Sequence, residues 1–224
     1  MKILLSNLTI DVPKGIYNKD PQSSDLGKRI ISGSIDLIEE IGFEAFTFKK
    51  LGIKIGSNES SIYRYFESKY KLLIYLTLWY WAWLEYRFVF ETQNIQDLEE
   101  RLVKGIEVVT RTVESDSNFS HIDEVKLNRI IINDSLKSFL NKEVDQENKE
   151  GHFEIYKRLV KRLAQLIHDV NTEYQAPLSL ASTIVESALH QHFLKEHLTS
   201  ITNCNNSYSP TQFLTDVALK SIKK

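Results

Sequence analysis

Residues 47–66 read TFKKLGIKIGSNESSIYRYF, two short helical segments joined by a tight turn at Gly56. The second segment places small polar side chains at its start and phenols further along. That order suits a helix laid in a DNA major groove, the helix-turn-helix arrangement. Base reading would fall to Glu59, Ser60, Ser61 and Arg64. A guanidinium bonds guanine through two N–H groups, and a carboxylate accepts from cytosine N4. Two simpler roles stay open: Glu59 as partner of the helix dipole, and Arg64 as a phosphate contact.

Three helices must hold these side chains. Ile30, Ile31, Ser34, Leu37, Ile38 and Ile41 follow the three-four spacing of a first helix over Asp25–Ile41, which Gly42 ends. Thr47 caps a second helix through Lys54, with Leu51 and Ile55 turned inward. Ser57 or Asn58 caps a third, Glu59–Phe66. Ile62 and Phe66 lie four apart and share its inner face. Ser60, Ser61, Arg64 and part of Tyr63 and Tyr65 are then left outside.

Charge favours the same segment. From Phe46 to Tyr75 six cations (Lys49, Lys50, Lys54, Arg64, Lys69, Lys71) stand against Glu59 and Glu67, a local +4 in a chain of net charge −2. A basic patch on an acidic protein suits local phosphate contact, although a run of charge can also be a solvated surface.

Ser68 caps a fourth helix over Lys69–Thr92. Its stretch LLIYLTLWYWAWL, residues 72–84, is apolar on every side but stops at Glu85, well short of the roughly 20 residues of a membrane span. Such a run fits a helix buried all round. Tyr75, Trp79, Trp83, Tyr86 and Phe90 are spaced so that several share a face, which makes a pocket for a small apolar effector one reading and core packing the other. Helices are expected near residues 95–114, 122–140, 150–174, 178–198 and 210–222, with an exposed loop at Asp145–Lys149 and a loop at Asn203–Ser209.

The pattern Thr47, Leu51, Gly56, Ser61, Ile62, Tyr63, Tyr65, Phe66, Ser68 and Lys69, in that register, resembles the TetR (tetracycline-repressor-like) family of bacterial transcription regulators. Gly52 departs from it, standing where a helix-favouring Ala is usual at a cost of about 1 kcal/mol in propensity. The resemblance implies an all-α chain, with an N-terminal three-helix DNA-binding domain followed by a larger helical ligand-binding and dimerisation domain. On this chain those are residues 25–70 and 71–224, after an arm over 1–24. It implies that Thr47 and Lys69 grip the DNA backbone and that Tyr63 and Tyr65 donate phenol O–H groups to phosphates. Lys49 and Asn58 complete the candidate DNA-contacting set. It further implies that Tyr75, Trp79, Trp83 and Tyr86 border the effector site. Ile184, Ala188, Phe193, Phe213 and Val217, on the last two helices, would dock against a twin. The expected function is ligand-responsive repression from a palindromic operator, bound as a homodimer; the alternative is a helical interaction module that has lost DNA binding.

Other chemistry finds little footing. His190 and His192 point to different faces of one helix, and the remaining histidines have no neighbour at ligand spacing, so no metal is expected. No Gly-rich phosphate loop or nucleophile elbow is present. No cofactor and no enzymatic activity are expected. The single cysteine, Cys204, suits a reducing cytoplasm, and no signal segment opens the chain. The arm could be disordered, an edge strand or packed on the body: ILLSNLTIDV has strand-like content, then Pro13, Gly15 and Pro21 break it up.

Overall fold

A computed structural model describes residues 10–114, 121–134, 137, 142 and 144–223. Every regular element among the described residues is a helix, with no strand among them. They form two compact units. The first takes the described residues up to Ala82 and those of Val113–Phe153; the second takes Trp83–Thr112 and the described residues from Glu154 onward. This packing division does not follow the functional boundary expected at 70/71.

In the first unit α1 (Asp25–Ala45) starts at Ser24, whose Oγ accepts the Gly27 N–H at 3.2 Å. Its backbone leaves helical angles at Gly42 (φ 76°), where the sequence ended the helix, and one further turn follows. Ile30, Ile31, Ile35, Leu37 and Ile38 are buried. α2 (Phe48–Ile55) is capped by Thr47 and α3 (Glu59–Tyr63) by Asn58. α4 (Lys69–Thr92) runs as expected, and every residue from Leu72 to Leu84 except Ala82 is buried. The initial part of α4 belongs to this unit and its end to the other. No described helix is long and apolar enough to cross a membrane.

α6 (Glu124–Asp134) packs along α1. Three cations from its side meet three acids of α1: Lys126 with Asp36 at 2.5 Å, Arg129 with Glu39 at 2.8 Å, and Lys137 with Glu44 at 2.7 Å. The rest of the helix expected to residue 140 falls largely outside the described residues. Residues 145–149, read as a loop, are helical instead, within α7 (Val144–Lys149). Gly151, at φ 84°, lets the His152 N–H return to the Glu147 carbonyl and close the turn. Polarity there marked a surface and said nothing about backbone hydrogen bonding.

In the second unit α5 (Leu98–Thr110) packs against α8 (Glu154–Val170), α9 (Pro177–His197) and α10 (Pro210–Ile222). α10 opens on the capping box of Ser209 and Gln212, with Pro210 in its first turn. On the end of α4, burial alone would raise the carboxyl of Glu85, but hydrogen bonds from Arg158 and Arg162 hold it below its ordinary range. Glu91 is held down in the same way by Arg111 and Arg87, again against burial.

Candidate nucleic-acid interface

Local rules build the turn. Thr47 Oγ1 accepts the Lys50 N–H at 3.2 Å, and α2 ends on Gly56 in the left-handed region (φ 64°, ψ 42°). The Ser57 N–H bonds the Gly52 carbonyl at 2.8 Å and the Gly56 N–H bonds the Ile53 carbonyl, the paired closure of a Schellman cap. The turn passes so close to Gly52 that a Cβ there would lie 2.8 Å from the Ser57 carbonyl oxygen. The residue that looked unfavourable by helix propensity is the one that this approach admits.

Asn58 then starts α3. Its Oδ1 accepts the Ser61 N–H at 2.8 Å and the Ser60 hydroxyl at 2.8 Å, and the residue is exposed. The α-helix covers Glu59–Tyr63 and not the expected Glu59–Phe66, because the Tyr65 N–H turns to the Ile62 carbonyl at 2.8 Å and tightens the last turn.

Two expectations are corrected here. Tyr65 is 3% exposed, and its hydroxyl is within 2.8 Å of Ser24 Oγ on α1's cap. The hydrogen bond with Ser24 lowers the phenol pKa against the effect of burial, with Lys19 acting in the same direction. Ser61 is 6% exposed and accepts from the Arg64 guanidinium at 3.0 Å. Neither side chain stands on the outer face.

Lys69 is also turned inward. Its ammonium lies within 3.4 Å of the carbonyls of Phe43, Glu44 and Phe46 and 4.7 Å from the Phe43 ring centre. It closes the carboxy end of α1, where a cation is favoured, and its donors are engaged there rather than on an outside phosphate.

The exposed set that remains is coherent. Thr47, Lys49, Asn58, Ser60, Tyr63 and Arg64 are exposed, and Glu59 is half-buried. Thr47 uses its oxygen as the cap, so its O–H stays available. Lys49 makes no ion pair among the described residues, while Lys54 is paired with Glu40 at 2.8 Å. Tyr63 is 48% exposed, with its ring edge-on to Phe48 at 5.0 Å between centres. One cation free of ion pairs, one guanidinium and several hydroxyls on a short helix and its turn can grip phosphate and reach base edges.

Of the three readings left open for the arm, its described portion takes the packed one. Ile10, Val12 and Ile16 are buried, Tyr17 packs edge-on to Tyr75, and Asn18 bonds the last turn of α3. The arm's described portion is therefore packed; its first nine residues, with most of the strand-like stretch, lie outside the described residues.

Residues 30–76 match the family model for bacterial regulatory proteins of the tetR family. That segment is of the tetR family. Regulators of this family bind DNA and respond to small ligands. The fold is shared with solved structures of low identity. One is PfmR, a TetR-family transcriptional regulator from Thermus thermophilus: 15% identity, TM-score 0.58, covering 88% of this chain and all of that one (100%). A regulator from Saccharomonospora viridis, solved in complex with choline, has 20% identity and a TM-score of 0.61, covering 86% and 95%. AibR, solved with isovaleryl coenzyme A and operator DNA, has 16% identity and a TM-score of 0.55, covering 85% and 95%. No curated protein matches the chain in sequence.

The residues expected at the effector site all lie on α4 and are shared between the two units. Tyr75 is fully buried between Tyr17 and Phe66 in the first unit, a core position that burial pushes to a very high pKa. Trp79 is buried in the same unit. Trp83 and Tyr86 belong to the second, where Arg87 covers the Trp83 ring at 5.3 Å and Tyr86 stacks on Phe90. Of the expected twin-facing residues, Ile184 and Ala188 are buried within the second unit's own core, because α9 packs against α8, α5 and α10. Phe193, Phe213 and Val217 are half-buried. Cys204, in its polar loop, is buried. Among the described residues no group of three or more acidic, His or Cys side chains could hold a metal.

Proposed function

We propose that this chain is a ligand-responsive repressor that binds a palindromic operator as a homodimer in the cytoplasm, without catalytic activity of its own. The observation that carries the reading is the exposed set Thr47, Lys49, Asn58, Ser60, Tyr63 and Arg64 on one capped turn and its short helix. Thr47, Lys49 and Tyr63 contact phosphates; Asn58, Ser60, Glu59 and Arg64 face base edges.

Dimerisation follows from reach. A recognition helix of five residues covers few base pairs, and a two-fold pair reads two half-sites. Phe193, Phe213 and Val217 on α9 and α10 supply the twin-facing surface. The effector is small and largely apolar and meets the aromatic end of α4 around Trp83, Tyr86 and Phe90. It acts through its differential affinity for two conformations. The choline and isovaleryl coenzyme A complexes of similar folds make an organic ligand with an apolar part the class to try first.

The test is selection of a site from a random-sequence duplex pool, followed by binding at increasing salt. An inverted repeat and a steep salt slope are the expected result; no enriched sequence would remove the reading. Titration of choline and short acyl-coenzyme A compounds, read by fluorescence of the three tryptophans, tests the effector.

A further inference from the structure

α3 is short, and its end needs help. A helix leaves its last carbonyls without intrahelical partners, and here they fall at the side chains proposed to meet DNA. The group that reaches them lies 45 residues earlier. Asn18 Nδ2 donates to the Tyr63 carbonyl at 3.3 Å, and the Asn18 N–H donates to the Tyr65 carbonyl at 2.8 Å. Beside them the Lys19 ammonium sits 5.0 Å from the centre of the Tyr65 ring, and the Tyr65 hydroxyl meets Ser24. The segment is anchored behind these contacts. Ile10, Val12 and Ile16 are buried, Tyr17 packs against Tyr75, and Gln22 Nε2 donates to the Ile10 carbonyl at 2.9 Å. All of it lies outside residues 30–76, the part that matches the family model.

We infer that residues 17–24 are a strap that sets the angle of the recognition helix, with Asn18 as its positioning residue. The inference rests on the DNA-binding reading above. Asn18 touches the helix backbone, so it acts on DNA through Tyr63 and Arg64 and not by contact of its own. A base contact depends on the helix standing within a fraction of an ångström of its place, while non-specific phosphate attraction tolerates a loose helix. The strap therefore governs selectivity rather than overall attraction.

The experiment compares the full-length wild type with Asn18→Ala and Tyr65→Phe on the selected duplex and on a scrambled one of equal length. Melting temperature and amide exchange across residues 62–66 are recorded alongside. Asn18→Ala keeps the backbone bond and loses the side-chain bond; Tyr65→Phe keeps the ring under Lys19 and loses the link to Ser24. Each is expected to weaken selected-site binding about three- to ten-fold, the scale of one hydrogen bond. Scrambled-duplex affinity and salt slope stay unchanged, and exchange at 62–66 quickens. If the wild type discriminates between the duplexes and both variants do so equally well, the strap inference is overturned. Equal loss on both duplexes also overturns it, since that is the mark of a direct phosphate contact or general unfolding. If the wild type itself does not discriminate, the DNA-binding reading fails, and the inference with it.

Discussion

Gly52 and Gly56 show how much of the candidate site depends on single atoms. Gly52→Ala raises helix propensity yet forces a Cβ to 2.8 Å from a backbone oxygen that has no flexible side chain to give way. We expect a net loss of roughly 1–3 kcal/mol, the range for overpacking, measured by chemical denaturation. A stability gain, as propensity alone dictates, would show that the turn can back away. Lys49 and Arg64 act at the same scale. Lys49→Ala is expected to weaken binding to selected and scrambled duplexes alike and to reduce the salt slope by about one. Arg64→Ala is expected to cost about 1–3 kcal/mol on the selected duplex if it reads guanine. Equal effects of Arg64→Ala on both duplexes would return it to the phosphate role.

At the scale of elements, what was legible in the sequence was what neighbouring residues decide. Thr47, Asn58 and Gly56 cap and turn as their types require, and Gly42 breaks α1 where it stands. The inner faces of α1 and α4 followed from periodicity. Tyr65 was misplaced because a period of 3.6 was carried to residue 66, beyond the point where the helix tightens; Ser61, inside α3, is buried beside Ile62 and bonded by Arg64. Lys69 was misplaced because its partner, Phe43, is far away in sequence and nothing local announces it; Tyr75 takes the core-packing place that its sequence left open, against a Tyr17 that is equally distant. The strap is hidden for the same reason. Long-range charge pairing was equally unreadable, and it makes its own prediction. The three exposed pairs joining α1 with Lys126, Arg129 and Lys137 are worth little singly. Reversing Arg129 to Glu should change stability by no more than about 1 kcal/mol. Reversing all three cations should give a larger loss that 1 M salt reduces. A salt-independent loss would point to packing instead.

At the scale of the whole molecule, the carboxyls of Glu85 and Glu91 predict an acid limit to stability. Both are held below their ordinary pKa of 4.5 by arginines, with burial opposing. A depressed carboxyl contributes stability that is present above its unfolded value and lost as pH falls through the folded one. Melting temperature should therefore decline as pH drops below about 4.5, and Glu85→Gln should flatten that decline while lowering stability at pH 7. Equal acid sensitivity in wild type and Glu85→Gln would assign the acid limit elsewhere. Assembly belongs to this scale too: Phe213→Glu is expected to shift the mass in light scattering from dimer to monomer, and an unchanged mass would move the twin interface off α10. The division into two compact units could not be read from composition, because one continuous helix, α4, gives its first part to one unit and its end to the other.

The most direct measurement is the affinity of the full-length protein for its selected duplex as a function of salt, beside the same titration with Lys49→Ala plus Arg64→Ala. We predict selective binding that weakens steeply and linearly in log–log form, and a double variant with lower affinity and a shallower slope. Binding of equal strength and slope in both proteins would contradict the assignment of this face to DNA.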